Sequence, residues 1–268
     1  MQNKPRILLI NDDGIDAEGL RYLWQALHPI GDLYIIAPAI EQSGSGVGIT
    51  LRSPLLIEPV EWENNTPAWK VRGTPADCVK MAVSKILPFK PDLIVSGINR
   101  GSNSGKNIFY SGTVGGVIEG VLRDIPGIAF SLACEGIPNP NYNVPAKYIS
   151  SIVQHVLDEP LPRGTFLNVN FPTEGDDIVG FKLARQGKGY WLENLHERLH
   201  PDGKPYYWLG GVWNTQEEHE ESDVHYLQKG YMTAVPIHIE ELTCHGTLEG
   251  RKDTFENLFH KTKDGQKV

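Results

Sequence analysis

Four apolar residues in a row, Ile7-Leu8-Leu9-Ile10, follow Arg6 and stop at Asn11-Asp12-Asp13-Gly14. A run this short and this rich in branched side chains reads as a strand buried on both faces of a parallel sheet. Leu20, Leu23, Trp24 and Leu27 then recur at the spacing of one helix face. The same alternation continues along the chain. Residues 33–38 predict a second strand, and residues 55–59 and 68–71 predict short strands around a polar turn at Asn64-Asn65. Thr74, Pro75 and Asp77 predict a helix start, with Thr74 as N-cap and Asp77 completing a capping pair. Val79, Ala82, Val83 and Ile86 supply that helix's buried stripe.

Residues 92–96 form the next predicted strand, followed by a polar, glycine-rich loop over 97–105. A helix then begins at Ser111-Gly112-Thr113, with Val114, Val117, Ile118 and Val121 on one face. A strand over 127–132, a helix bearing Ile149, Ile152, Val153 and Val156, and an alternating strand over 166–172 complete the series. Strand and helix in turn imply an α/β fold with a mostly parallel, doubly wound sheet. After about residue 175 aromatic residues and short extended pieces dominate, around Tyr190-Trp191, Tyr206-Tyr207-Trp208 and Trp213, and this region reads as hairpins. The acidic run 217–221 reads as a solvated loop and residues 231–237 as a strand. The polar tail after Gly250 reads as partly disordered.

Bulk properties narrow the classes. At 268 residues the chain can bury a full core, and its net charge of −8 argues against binding a nucleic-acid backbone. Cys78, Cys134 and Cys244 are too few and too scattered for a disulfide framework or a zinc site, which fits a reducing compartment. No stretch has a signal-peptide core or the length to cross a bilayer, so the expectation is a soluble, cytoplasmic protein.

Candidate chemistry sits at strand ends. Asp12 and Asp13 lie where open α/β sheets collect ligands, and two carboxylates suit a hard divalent cation such as Mg²⁺ or Mn²⁺. A plain turn is the competing explanation, because Asp and Gly dominate turns. Ser43, in the glycine-rich loop 41–48, shares their sheet edge if the first two strands are neighbours. That loop superficially offers a dinucleotide fingerprint, but residues 49–54 look extended where a helix would be needed. Asn99 could add a neutral oxygen. The helix start at Ser111-Gly112-Thr113 exposes unpaired N–H groups and two hydroxyls, a ready anion site. Gly115, Gly116 and Gly120 each cost that helix about 1 kcal/mol relative to alanine, which points to close backbone approach.

Four blocks carry a family resemblance: Asn11-Asp12-Asp13-Gly14 with Ala17 and Gly19; residues 73–79; residues 96–101 with Asn103 and Gly105; and residues 110–114. In this order they resemble the SurE stationary-phase survival proteins, metal-dependent 5′-nucleotidases. The match runs from residue 6 to about 172 and continues weakly through Asp223 and Gly230-Tyr231. The resemblance implies a Rossmann-like catalytic domain over 1–175. It also implies a hairpin-rich C-terminal extension over 176–268, used to build a homodimer or homotetramer. One divalent cation per subunit, Mg²⁺ or Mn²⁺, would be held by Asp12, Asp13, Ser43 and Asn99, with Asp12 and Asp13 also catalytic. Phosphate and substrate would be met by Asn99, Gly101, Asn103, Ser111, Gly112 and Thr113. The implied reaction is hydrolysis of nucleoside 5′-monophosphates, and of 3′-nucleotides or other phosphomonoesters. Gly115-Gly116 and Gln186-Gly187-Lys188 depart from the family pattern, the second leaving substrate preference open. The rivals are a nucleotide-binding protein using loop 44–48 and a non-catalytic interaction protein working through its aromatic hairpins.

Overall fold

The computed structural model describes residues 4–173, 178–214 and 217–263. Along the chain come β1 (Arg6–Ile10), α1 (Glu18–Leu27), β2 (Asp32–Pro38), β3 (Ile57–Val60), β4 (Ala68–Val71), α2 (Pro75–Met81) and β5 (Leu93–Arg100). Then follow α3 (Gly112–Val121), β6 (Gly127–Leu132), α4 (Asn143–Asp158) and β7 (Thr165–Phe171). The remainder is β8 (Gly180–Leu183), β9 (Tyr190–Leu199), β10 (Pro205–Asn214), α5 (Asp223–Gln228), β11 (Tyr231–His238) and α6 (His245–Lys263). Residues 1–237 form one compact unit and residues 238–268 another.

Nine strands make the main sheet in the order β3-β4-β2-β1-β5-β6-β7-β11-β8. β1 pairs in parallel with β2 on one side and β5 on the other. Successive β1 side chains point to opposite faces, as the two-residue period of a strand requires. Ile7 and Leu9 enter one core with Leu20, Leu23, Trp24 and Leu27 of α1 and Ile149, Val153 and Val156 of α4. Leu8 and Ile10 enter the opposite core with Cys78 and Val79 of α2. Both faces are covered, so the continuous apolar run has its physical reason. The chain builds outward from β1 through β2 and then returns to β1's other side with β5. This makes the β1/β5 boundary a topological switch point.

The three helical glycines on α3 let that helix sit close. A Cβ on Gly116 would overlap the Ile10 side chain, one on Gly120 would overlap Ile94, and one on Gly115 would overlap the Gly46 carbonyl oxygen. The first two seat α3 on the sheet, and the third presses loop 41–48 against its first turn.

Several elements differ from expectation. β5 runs on to Arg100, with a register shift against β6 between Ser96 and Asn99, so the head of the expected loop is strand. β7 alternates apolar and polar in sequence yet is buried throughout, because Asn168 and Asn170 face a polar network rather than solvent. β9 and β10 form the expected hairpin. β8 and β11, by contrast, pair in parallel and extend the main sheet, with α5 between β10 and β11 in the chain. The expected boundary at 175/176 lies outside the described residues. In the acidic run, the Glu218 carboxylate accepts the backbone N–H groups of Lys188 and Gly189 at 3.0 and 2.6 Å, which ties the run to the root of β9. The tail after Gly250 is helical up to Lys263, where Glu, Arg, Lys and Leu favour that state.

Asp223 joins the later segment to the earlier one. Its buried carboxylate accepts the N–H groups of Gly105, Gly187 and Val224 at 3.0, 2.8 and 2.8 Å. An amide there would turn an NH₂ toward one of those donors. Asp223→Asn is therefore expected to lower the unfolding free energy by about 1–3 kcal/mol, the cost of a buried unpaired polar group. Urea unfolding measures it, and an unchanged midpoint would mean the three bonds contribute nothing net.

Candidate metal and phosphate site at the switch point

Asp12 and Asp13 follow the end of β1, where the turn is fixed by Asn11 Nδ2 donating to the Gly14 carbonyl at 2.8 Å. Gly14 has φ of 102°, a conformation that side chains resist. The Asp12 carbonyl accepts the Gln42 N–H at 2.7 Å, so loop 41–48 is anchored across the end of β1. That anchor brings Ser43 to the site's rim, exposed, with its hydroxyl donating to Glu41 at 2.7 Å. The oxygen lone pairs of Ser43 are left for another partner.

From the other side of the switch point comes Asn99. Its amide nitrogen donates to the Gly101 carbonyl at 2.8 Å, which turns its oxygen away from that bond. Arg100 contributes its backbone N–H to Asp13 Oδ2 at 3.2 Å. Its guanidinium instead reaches the Ile137 and Pro138 carbonyls. Gly101, at φ of 117°, shapes the turn that follows.

The start of α3 closes the third side. Ser111 caps the helix by accepting the Val114 N–H at 3.1 Å, which leaves its O–H free to donate. Gly112 packs against Asp12 so closely that a Cβ would lie 2.7 Å from the Asp12 Cβ. Thr113 is fully buried and its hydroxyl donates to Asp12 Oδ1 at 2.6 Å. Asn103 Nδ2 supports it, reaching Ser131 Oγ at 2.8 Å and Thr113 Oγ1 at 3.4 Å. The side chains of Thr113 and Asn103 are thus engaged in holding Asp12. The Thr113 backbone N–H also faces the Asp12 carboxylate, so the groups left for an anion are the Ser111 hydroxyl and the Gly112 N–H. Ser45 is a residue of this site that the sequence did not single out. Its buried hydroxyl has no partner and lies 2.7 Å from where a Gly112 Cβ would be. Only its place in a glycine-rich loop hinted at it.

Burial pushes the Asp12 carboxyl above its ordinary pKa, against the lowering effect of the Thr113 hydrogen bond. Burial likewise pushes Asp13 up to about 7, helped by the adjacent Asp12 charge. Glu41 adds further negative potential at both. No cluster of three or more His, Cys, Asp or Glu side chains is assembled for a metal among the described residues. A cation here would therefore have two carboxylates and would complete its shell with neutral oxygens. Ser43 and Asn99 offer such oxygens, and the donor set fits a hard divalent ion.

Paired carboxylates packed against a helix N-terminus at a sheet's switch point mark an α/β protein whose candidate site has the chemistry to suit a hard cation. Comparison with known proteins narrows the class. The family model described as Survival protein SurE matches residues 7–193. A curated relative from Protochlamydia amoebophila, named 5′-nucleotidase SurE, is 51% identical over 97% of this chain and 100% of its own length. Another of that name, from Christiangramia forsetii, is 41% identical over 91% of this chain and 94% of its own. The crystal structure of the Aquifex aeolicus SurE protein superposes with a TM-score of 0.79 at 37% identity, covering 93% of this chain and 99% of that one. The chain belongs to the SurE survival-protein family.

Metal-free stability reports the strain at this site. An ordinary aspartate loses its proton near pH 4, whereas folded Asp13 keeps it to about 7. Across that window the folded state binds the extra proton, so stability falls as pH rises and levels off above 7. Asp13→Asn removes this cost. With chelator present, it is expected to gain on the wild type by on the order of a few kcal/mol between pH 4 and 7. Urea unfolding at several pH values measures the gain, and a constant difference across the range would contradict the assignment.

Proposed function

We propose that the protein hydrolyses nucleoside 5′-monophosphates to nucleoside and phosphate, with 3′-nucleotides and other phosphomonoesters as further substrates. The observation that carries this reading is the pair of poorly compensated carboxylates, Asp12 and Asp13, set against the open first turn of α3. Full-length similarity to relatives named 5′-nucleotidase supports it. Family membership implies a divalent metal cofactor. We assign one per subunit, Mg²⁺ or Mn²⁺, to Asp12, Asp13, Ser43 and Asn99.

When bound, the cation supplies positive charge that polarises the phosphoryl group and offsets charge developing in the transition state. The protein's own residues do the rest. The Ser111 hydroxyl and the Gly112 N–H orient the remaining phosphoryl oxygens, aided by the helix dipole, while Thr113 turns its hydroxyl and N–H to Asp12. Asn103 and Thr113 hold Asp12 in place. The Asp12–Asp13 pair accepts the proton of the attacking water. Gly101 sets Asn99, and the absence of a side chain at Gly112 lets the helix start pack directly on Asp12.

The dinucleotide alternative finds no support, because residues 49–56 contain no helix after the glycine-rich loop. No helix among the described residues is long and apolar enough to cross a membrane. We assign the protein to the cytoplasm as a homodimer or homotetramer, joined through residues 176–268. In that segment Tyr207, Trp208 and Leu209 are 55%, 66% and 74% exposed on a two-stranded ribbon, a surface that favours burial against a partner.

Phosphate release after chelator stripping tests the activity. Mg²⁺ or Mn²⁺ is expected to restore turnover, fastest on nucleoside monophosphates. The double variant Asp12→Asn, Asp13→Asn is expected to lose at least about a hundredfold, on the scale of removing one charge-stabilising group. A folded wild type that releases no phosphate with either cation would overturn the reading.

A further inference from the structure

A cavity of about 240 Å³ opens beside the phosphate cradle. Its walls are Ser102 and Ser104 after β5, Ala133 and Glu135 after β6, Trp191 and Trp213 at the root of the hairpin, and one face of α5. Gly101 stands between it and the ligand set: a Cβ there would lie 3.9 Å from both the Asn99 amide nitrogen and Glu135 Oε1. Asn103, between the two serines, reaches Thr113 and through it Asp12. The cavity therefore begins one residue's width from the cradle, on the same carboxyl edge of the sheet.

Its walls suit one flat heteroaromatic ring. Trp191 and Trp213 meet edge to face with centroids 5.4 Å apart at 78°. The Trp191 backbone N–H donates to Asn107 Oδ1 at 3.2 Å, which fixes the hairpin root to the turn before α3. Trp191 remains 40% exposed, so part of its indole is open. Glu135 Oε1 accepts the Ser102 N–H at 2.7 Å, and its second oxygen can accept from a ligand N–H or O–H. The space is smaller than the roughly 300 Å³ at which sites for drug-sized ligands begin, enough for a base and too small for a dinucleotide.

We propose that this cavity is the nucleoside subsite. The base stacks on the Trp191–Trp213 pair, and a donor on the base or ribose bonds Glu135. The proposal rests on the phosphomonoesterase reading and adds the residues that favour a nucleotide over a bare sugar phosphate. Every base offers a π-face, so stacking favours nucleotides as a class while discriminating little among them.

Adenosine 5′-monophosphate and ribose 5-phosphate, which differ by the base, test it on the metal-loaded full chain. In the wild type kcat/KM is expected to favour the nucleotide. Trp191→Ala is expected to cut the ratio between the two substrates by about tenfold or more, chiefly through KM, with Trp191→Phe retaining most of it. An unchanged ratio in Trp191→Ala, or an equal fall on both substrates, would overturn the subsite. Adenosine alone, without cation, should quench tryptophan fluorescence saturably in the wild type and not in Trp191→Ala. Absence of quenching in the wild type would count against the subsite. Failure to hydrolyse either phosphate with any cation would sink the phosphomonoesterase reading, while adenosine quenching would still uphold the cavity as a base-binding site.

Discussion

Two adjacent carboxylates that the fold does not neutralise are the constraint around which this protein is arranged. Asp12 is buried and Asp13 half-buried, and Asp12 raises the pKa of its neighbour. Arg100 beside them gives Asp13 a backbone N–H and some favourable charge, but too little to offset burial, and its guanidinium is bonded to the Ile137 and Pro138 carbonyls. Such a pair is unfavourable in the bare protein and becomes favourable when a cation supplies the missing charge. The surrounding structure serves to keep the pair in place: Thr113 and Asn103 from one side, the Gln42 anchor from another, and β1 itself pinned between β2 and β5.

That arrangement explains why α3 carries glycines where a helix would prefer alanine. Each removes a side chain at a point of contact, with Ile10, Ile94 or the Gly46 carbonyl. Closeness brings the helix N-terminus, with the Thr113 N–H and hydroxyl, against Asp12. Local helix propensity is given up for site geometry. A sequence that breaks a local rule at a site in this way is a common mark of function.

Much of this was legible in the chain. Ile7-Leu8-Leu9-Ile10 running into Asp12-Asp13 already placed both carboxylates at a strand's carboxyl end, whereas the strand order that makes this end the switch point had to come from the structure. The capping pair Thr74–Asp77 was readable because its signals are local. What the sequence hid depends on contacts far apart along the chain. The Thr113 hydroxyl bonds Asp12 across 101 residues, and Asp223 reaches Gly105 across 118. Ser45 looked like one small residue among glycines. The parallel pairing of β8 with β11 was obscured by aromatic-rich hairpin sequence between them. Asn168 and Asn170 made a buried strand look half-solvated, because alternation cannot distinguish water from an internal polar network.

The most direct measurement is thermal unfolding of the chelator-stripped protein as Mn²⁺ is added, in the wild type and in Asp12→Asn, Asp13→Asn. A cation that binds the folded state alone raises the midpoint in proportion to the logarithm of its concentration once the site is filled. The wild type should show that rise, and the double variant should start more stable and stay flat. A wild type indifferent to Mn²⁺, or a variant that responds equally, would show that the carboxylate pair is not what the cation completes.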